Sequence, residues 1–392
     1  MDHSLIYTII AGIVVAFIFG MLAKQLKLPT IFGYLLAGVA IGPHTPGFVA
    51  DVALAKQLAE IGIILLMFGV GLHFSFRDLM RTRHIALPGA LVQMICATLV
   101  GGFVAMMLGH GAMPAFIFGF SLTVASTIVL IRNLEHRGLL HSDGGKLAIS
   151  WLIVEDIAMV FALVMLPVLA EISASTQGVS PQSITLTLVG VVFKIGGFVA
   201  FMLLVGRSFL PWLLLKIMRM RSSELKTLGI LAIALGFAFI AYAIFDASLA
   251  LGAFLAGVML NETEIGQKSA DHTVQMRDAF SVLFFVSVGM LFDPQTLVSQ
   301  PLAVLLTFAT IVLAKGVAAL AITTLLRQPP QVGWPVAIGL AQIGEFSFIL
   351  GGVALTKGLI AEELYHLILA GAMLSIVANP FLFRLYDARW GR

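Results

Sequence analysis

Long apolar runs, each about the length of a bilayer-crossing helix, alternate with short polar connections along the whole chain. A hydrocarbon core about 30 Å thick takes roughly 20 residues of helix. Thirteen segments meet or approach that length: 5–23, 30–42, 59–75, 85–108, 114–132, 147–169, 183–205, 227–245, 248–260, 279–291, 301–326, 334–354 and 361–385. The shortest of them, 30–42, 248–260 and 279–291, predict tilted, partial or kinked helices. The pattern therefore predicts an all-α polytopic membrane protein with 13 transmembrane helices. Composition agrees, since 60% of the 392 residues are hydrophobic and 11% charged, against about 25% charged in soluble domains.

The placement of charge tests the count. Nineteen of the 23 Lys and Arg fall in odd-numbered connections or the C-terminal tail, counting Arg132 and Arg384 at the span ends that border them. The even-numbered connections hold only Lys56 and Lys357, and Lys194 and Lys315 fall inside spans. Basic connections stay in the cytoplasm, so the N-terminus is expected outside and the C-terminus in the cytoplasm. The start of the chain lacks the basic cluster and small-residue cleavage site of a signal peptide, so the first span is read as retained. The single Cys96 excludes an internal disulfide.

Three echoes run in the same order through both halves. "GYLLAGVAI" from Gly33 returns as "GAFLAGVML" from Gly252, and "LLMFGVGLHF" from Leu65 as "LFFVSVGMLF" from Leu283. More weakly, "GFSLTVASTIVL" from Gly119 returns as "GLAQIGEFSFIL" from Gly339. The expected organisation is one transmembrane domain over 1–392, with repeat one at 1–170, a linker helix at 183–205 and repeat two at 227–386. Seven spans separate the two starts, so the copies are inverted, as in many secondary transporters.

A mid-membrane charge costs about 2.5–3.5 kcal/mol on insertion scales, so each needs a reason. Glu155 and Asp156 lie in "AISWLIVEDIAMVFALVMLPV", about nine residues into their span and roughly 13 Å along it. Lys315 and Glu345 reach a similar depth in spans 11 and 12. Neighbouring helix residues point about 100° apart, so the two acids face different ways. Glu155 is assigned to Lys315 as its charge partner, and Asp156 to the exchangeable ion. The competing reading is a structural triad that fixes helix packing. Ser126, Thr127, Gln342 and Glu345 sit among small and glycine residues, which predicts discontinuous helices lining a cavity. Ser121 and Thr123 are expected to bond their own helix carbonyls instead. Lys194 has no functional assignment and is expected to snorkel. The Asn379–Pro380 pair is expected to kink span 13.

Taken together, "GYLLAGVAIGP", "LLMFGVGLHFS", "STIVL", "WLIVEDIAMV", "LGAFLAGVMLNE", "FFVSVGM" and "AQIGEFSFIL" resemble the monovalent cation/proton antiporter-2 family, nearest its Kef-type and YbaL-like bacterial members. That resemblance implies a sodium/proton antiporter-like fold of thirteen helices with discontinuous crossing helices, and a homodimer in the bacterial inner membrane. It implies that Asp156 binds a monovalent cation and a proton in turn, with the broken helices around Thr127 and Gln342 contributing. Many Kef-type members carry Gln where this chain has Glu155; the acid pair with Lys315 resembles electrogenic sodium/proton members instead, which leaves K⁺ and Na⁺ both open. Kef-type proteins usually continue into a cytosolic nucleotide-binding domain. No GxGxxG fingerprint marks one in this chain, and the connection from Asn261 to Asp278 is where a regulatory domain or subunit would touch. No cofactor, enzymatic activity or nucleic-acid partner is expected. The rival readings are a potassium efflux channel and an ion-coupled symporter of an organic solute.

Overall fold

The structure is a computed structural model. It describes residues 4–46, 51–73, 76–174, 196–220, 222–245, 249–261 and 280–390, with Gly190, Phe193, Lys194 and Ala247 besides. Every regular element among them is helical. Besides a short turn of helix at Gln295–Ser299, these are in chain order α1 Ser4–Gln25, α2 Thr30–Ile41, α3 Val52–His73, α4 Phe76–Met107, α5 Ala112–Ser121, α6 Thr127–Glu135, α7 Asp143–Ala174, α8 Gly196–Met218, α9 Ser223–Phe245, α10 Leu249–Asn261, α11 Phe280–Met290, α12 Pro301–Leu325, α13 Pro330–Leu340, α14 Glu345–Thr356 and α15 Glu362–Trp390. Among the described residues eight spans are long and apolar enough to cross a membrane, the α13–α14 pair counting as one. The short apolar helices α2, α5, α10 and α11 fall where the sequence predicts partial ones or a break. Helix starts follow from local chemistry: the Asp51 carboxylate accepts from Ala53 and Leu54 at the start of α3, and the Ser142 hydroxyl accepts from Gly145 at the start of α7.

Two differences from the sequence reading have simple causes. Span 7 is expected to end at 205, but α8 runs on to Met218, so Arg207 and Lys216 belong to the helix. Their stems lie along an apolar run, and Lys216 covers the Trp212 ring at 5.4 Å. Second, α15, expected to end at 385, runs on to Trp390. The connection from Asn261 to Asp278 lies outside the described residues beyond Asn261 itself.

The chain forms two compact units. One comprises residues 1–18, 34–75 and 171–290; the other 19–33, 76–170 and 291–392. In the first unit α2 packs on α11 and α3 on α10 through four glycines. A Cβ on Gly38 would collide with the Val286 carbonyl and lie 2.8 Å from the Gly289 Cα, and one on Gly289 would collide with the Leu35 carbonyl. The contact recurs: a Cβ on Gly257 would collide with the Phe68 carbonyl, and one on Gly71 with the Phe254 carbonyl, 3.0 Å from the Gly257 Cα. These positions correspond through the first two sequence echoes, Gly38 with Gly257, Gly71 with Gly289, Leu35 with Phe254 and Phe68 with Val286.

The second unit holds α4–α7 and α12–α15. At one end of α15, His110 Nε2 lies 3.6 Å from Glu363 and the Asp293 N–H donates to His366 Nδ1 at 3.3 Å. At the other end Arg137 pairs with Asp387 at 3.0 Å. The segments around His110, Asp293 and Glu363 thus meet at one end, and the connection that carries Arg137 meets the C-terminal segment at the other.

Backbone-to-backbone approach leaves no room for a side chain, and overpacking costs about 1–3 kcal/mol. Gly71→Val and Gly289→Val are each expected to lower the thermal midpoint of the detergent-solubilised protein. Gly236→Val, which meets open space, is expected to leave it unchanged.

Candidate ion-binding site

Both helices expected to be discontinuous are. The α5 helix ends at Ser121 and α6 starts at Thr127; α13 ends at Leu340 and α14 starts at Glu345. Small and polar residues permit the breaks. Ser121 and Thr123 return their hydroxyls to the Ile117 and Phe120 carbonyls at 2.7 Å each, as expected. Gly344 is extended (φ −129°, ψ −160°), so its requirement is space and not an unusual angle: a Cβ there would overlap Ser126.

The two breaks hold each other. Gly344 N–H donates to the Val124 carbonyl at 3.2 Å. Ser126 N–H donates to Gln342 Oε1 at 2.9 Å, and Gln342 Nε2 returns a bond to the Ser126 carbonyl at 3.2 Å. Gln342 Nε2 also caps α13 through the Gly339 carbonyl at 3.1 Å. Ser126 Oγ donates to Glu345 Oε2 at 3.0 Å and accepts from Val129 N–H at 3.3 Å, capping α6.

Helix α7 brings the acid pair to the first break. Glu155 Oε2 accepts the Ala125 N–H at 2.9 Å, and Asp156 Oδ2 accepts from the Thr127 hydroxyl at 3.4 Å. Both acids are buried, Asp156 being 4% exposed. Their second oxygens, Glu155 Oε1 and Asp156 Oδ1, have no hydrogen-bond partner although buried, and such atoms mark sites completed by an ion, a proton or water. Lys315 follows directly on a π-helical turn, Thr310–Ala314, and is fully buried. Its Nζ donates to the Gln342 carbonyl at 2.8 Å. Lys315 and Glu155 interact through charge, while the hydrogen bonds of each go to backbone. The expectation of a direct pair is refined accordingly: the acid meets the α5–α6 break and the lysine the α13–α14 break. Asp156 lies within Coulombic reach of Glu155 and Glu345.

All seven residues singled out in the sequence thus gather in the second unit. Sequence reasoning missed Gln93, a fully buried amide on α4. Its Oε1 accepts from Trp151 Nε1 at 3.1 Å and its Nε2 donates to the Thr123 carbonyl at 3.5 Å, bracing the first break. Its polarity amid "LVQMICATL" was the available signal. Lys194, exposed on its helix, belongs to the first unit.

Removing one partner from a buried charged network typically costs about 3–5 kcal/mol. Lys315→Met is therefore expected to lower the thermal midpoint in detergent markedly. Ser126→Ala, which loses a cap and one bond to Glu345, is expected to cost about 1 kcal/mol and to shift it less.

Comparison with known proteins identifies the context. The family described as sodium/hydrogen exchanger, transmembrane, matches residues 13–385. YbaL of Escherichia coli (strain K12), to which cation/proton antiport is ascribed, is 50% identical over 389 residues, covering 99% of this chain and 70% of YbaL. K(+) efflux antiporter 4 of Arabidopsis thaliana is 32% identical over 391 residues, covering 99% of this chain and 65% of that protein. The solved sodium proton antiporter MjNhaP1 of Methanocaldococcus jannaschii shares the fold, with a TM-score of 0.76 at 18% identity over 97% of this chain and 99% of that one. The chain belongs to the sodium/hydrogen exchanger family, among its monovalent cation/proton antiporters.

Proposed function

We propose that the protein exchanges a monovalent cation for H⁺ by alternating access, with K⁺ favoured and Na⁺ the other candidate, and with Asp156 as the group both ions compete for. One observation carries the reading: a buried carboxylate with one oxygen open, set at the meeting of two broken helices. Glu155, Asp156 and Glu345 are three carboxyl groups beside one ammonium, Lys315. Full ionisation would leave two uncompensated negative charges out of water, and that excess must be met by protons or by a cation.

Competition then couples the flows. Asp156 gives up its proton to the solution on one side and takes the cation. On the other side a proton displaces the cation. Thr127 and Ser126 steer the acids, Gln342 ties the breaks together, and Lys315 offsets charge while leaving Asp156 available. The K⁺ preference is supported by relatives named for K⁺ efflux. The chain covers about two thirds of those relatives, so their whole activity is carried over only as part of this proposal.

The architecture we propose is thirteen crossings in two inverted six-helix repeats, 1–170 and 227–386, joined by the linker helix expected from 183, which runs on to Met218. The glycine contact that occurs twice supports it, as does the Val124–Gly344 bond, whose partners correspond at the 220-residue offset of the third echo. The protein works in a bacterial inner membrane as a homodimer, with the N-terminus outside, the C-terminus in the cytoplasm and a regulatory partner near Asn261–Asp278.

In proteoliposomes an imposed pH gradient is expected to drive K⁺ or Na⁺ flux through the parent protein and none through Asp156→Asn. Coupled exchange retained by Asp156→Asn would remove the central assignment. Repeating the assay with voltage clamped or imposed reads the stoichiometry, and separate K⁺ and Na⁺ arms read the choice of ion.

A further inference from the structure

A second buried polar chain lies in the same unit, outside the ion cluster. It starts at Asp387, whose side chain is 41% exposed, and ends at the break. Arg137 Nε donates to Asp387 Oδ2 at 3.0 Å, and the guanidinium covers the Phe383 ring at 4.6 Å. Its Nη1 donates to the Asn133 carbonyl at 3.0 Å and to Asn133 Oδ1 at 3.3 Å. Asn133 Nδ2 donates to Asn379 Oδ1 at 3.0 Å, and Asn379 Nδ2 donates to the Ile338 carbonyl at 2.6 Å. Ile338 is in the last turn of α13, and its carbonyl also accepts the Ala341 N–H at 3.1 Å.

The direction of this chain is forced. A guanidinium only donates. Arg137 therefore fixes the oxygen of Asn133 toward itself, which turns the Asn133 NH₂ toward Asn379. The Asn379 oxygen is consumed in turn, which aims its NH₂ at Ile338. Without the arginine the Asn133 amide could flip and set its oxygen against the Asn379 oxygen, a repulsive contact that Asn379 relieves only by turning its own oxygen toward the Ile338 carbonyl. The other carbonyls at this end of α13 are held from within the site: Gly339 by Gln342 Nε2, Leu340 by the Gln342 N–H and Gln342 by Lys315. Asn379 reaches the end of α13 from α15.

We propose that Asn379 is a positioning residue for the second helix break, and that the Arg137–Asp387 pair orients it through Asn133. A half-exposed ion pair at the end of the unit thereby controls how firmly the backbone around Gln342 is held. The link to ion binding rests on the exchange reading above; the mechanical link does not.

The test is hydrogen–deuterium exchange of the whole chain in detergent, reading peptides over 339–344. Arg137→Met is expected to speed exchange there roughly tenfold, the equivalent of one lost hydrogen bond. Asn379→Leu is expected to do the same, while Arg137→Lys, which keeps a donor-only group, restores slow exchange. Asp387→Asn keeps the shape of a half-exposed site and is expected to act in the same direction with no change of fold. Faster exchange confined to 133–138 and 379–387, with 339–344 as slow as in the parent, would overturn the relay. Cation flux in the same variants, measured against the parent, separates the two proposals: a parent without exchange defeats the transport reading, and unchanged half-saturating cation concentration in Arg137→Met defeats the positioning of the ion site.

Discussion

Two short stretches of backbone, 122–126 and 341–344, lack a helix to satisfy them, and the interior of the second unit is arranged around supplying their partners. In hydrocarbon an unmet N–H or C=O costs several kcal/mol. A break is therefore tolerable only if other groups are brought to it. Here they are polar side chains, some of them costly to place in a membrane: two serines, two glutamines, an acid and a lysine. The backbone defect and the buried charges offset each other.

The signs agree with helix electrostatics. The α6 start presents N–H groups and partial positive charge, and there Glu155 takes the Ala125 N–H. The α13 end presents carbonyls and partial negative charge, and just past it Lys315 meets the Gln342 carbonyl. Each charge thus has an anchor of its own. Asp156, one residue along and turned away from that bond, keeps an oxygen with no fixed partner. Anchoring the neighbouring charges is what allows one acid to remain exchangeable without loosening the rest.

Much of this was legible in the sequence. Glu155, Asp156, Lys315 and Glu345 stand out because charge is rare inside apolar runs. The breaks show as small and polar residues at matching places in the two halves. The glycines that let α2 meet α11 and α3 meet α10 lie inside the echoed motifs. What could not be read is direction. Depth alone matched Lys315 with Glu155, but depth does not distinguish a carboxylate from a carbonyl as the atom that takes the proton donor. Gln93, Asn133 and Asn379 are single amides in apolar helices, and no periodicity separates a structural bridge from an incidental polar residue. The end of span 7 was misplaced because Arg207 looks like a boundary on a hydropathy profile, whereas a long cationic side chain can lie along a helix that continues.

The burial of one indole has an optical consequence. Trp151 is fully buried one helical turn before Glu155, its indole packed against Gly89 and bonded to Gln93, which in turn holds the Thr123 carbonyl. Trp212 and Trp334 are exposed by 55% and 37%. The chain thus carries a native fluorophore hydrogen-bonded to the brace of the first break, in surroundings unlike those of Trp212 and Trp334. Opening of that break can be followed by light on the unlabelled protein.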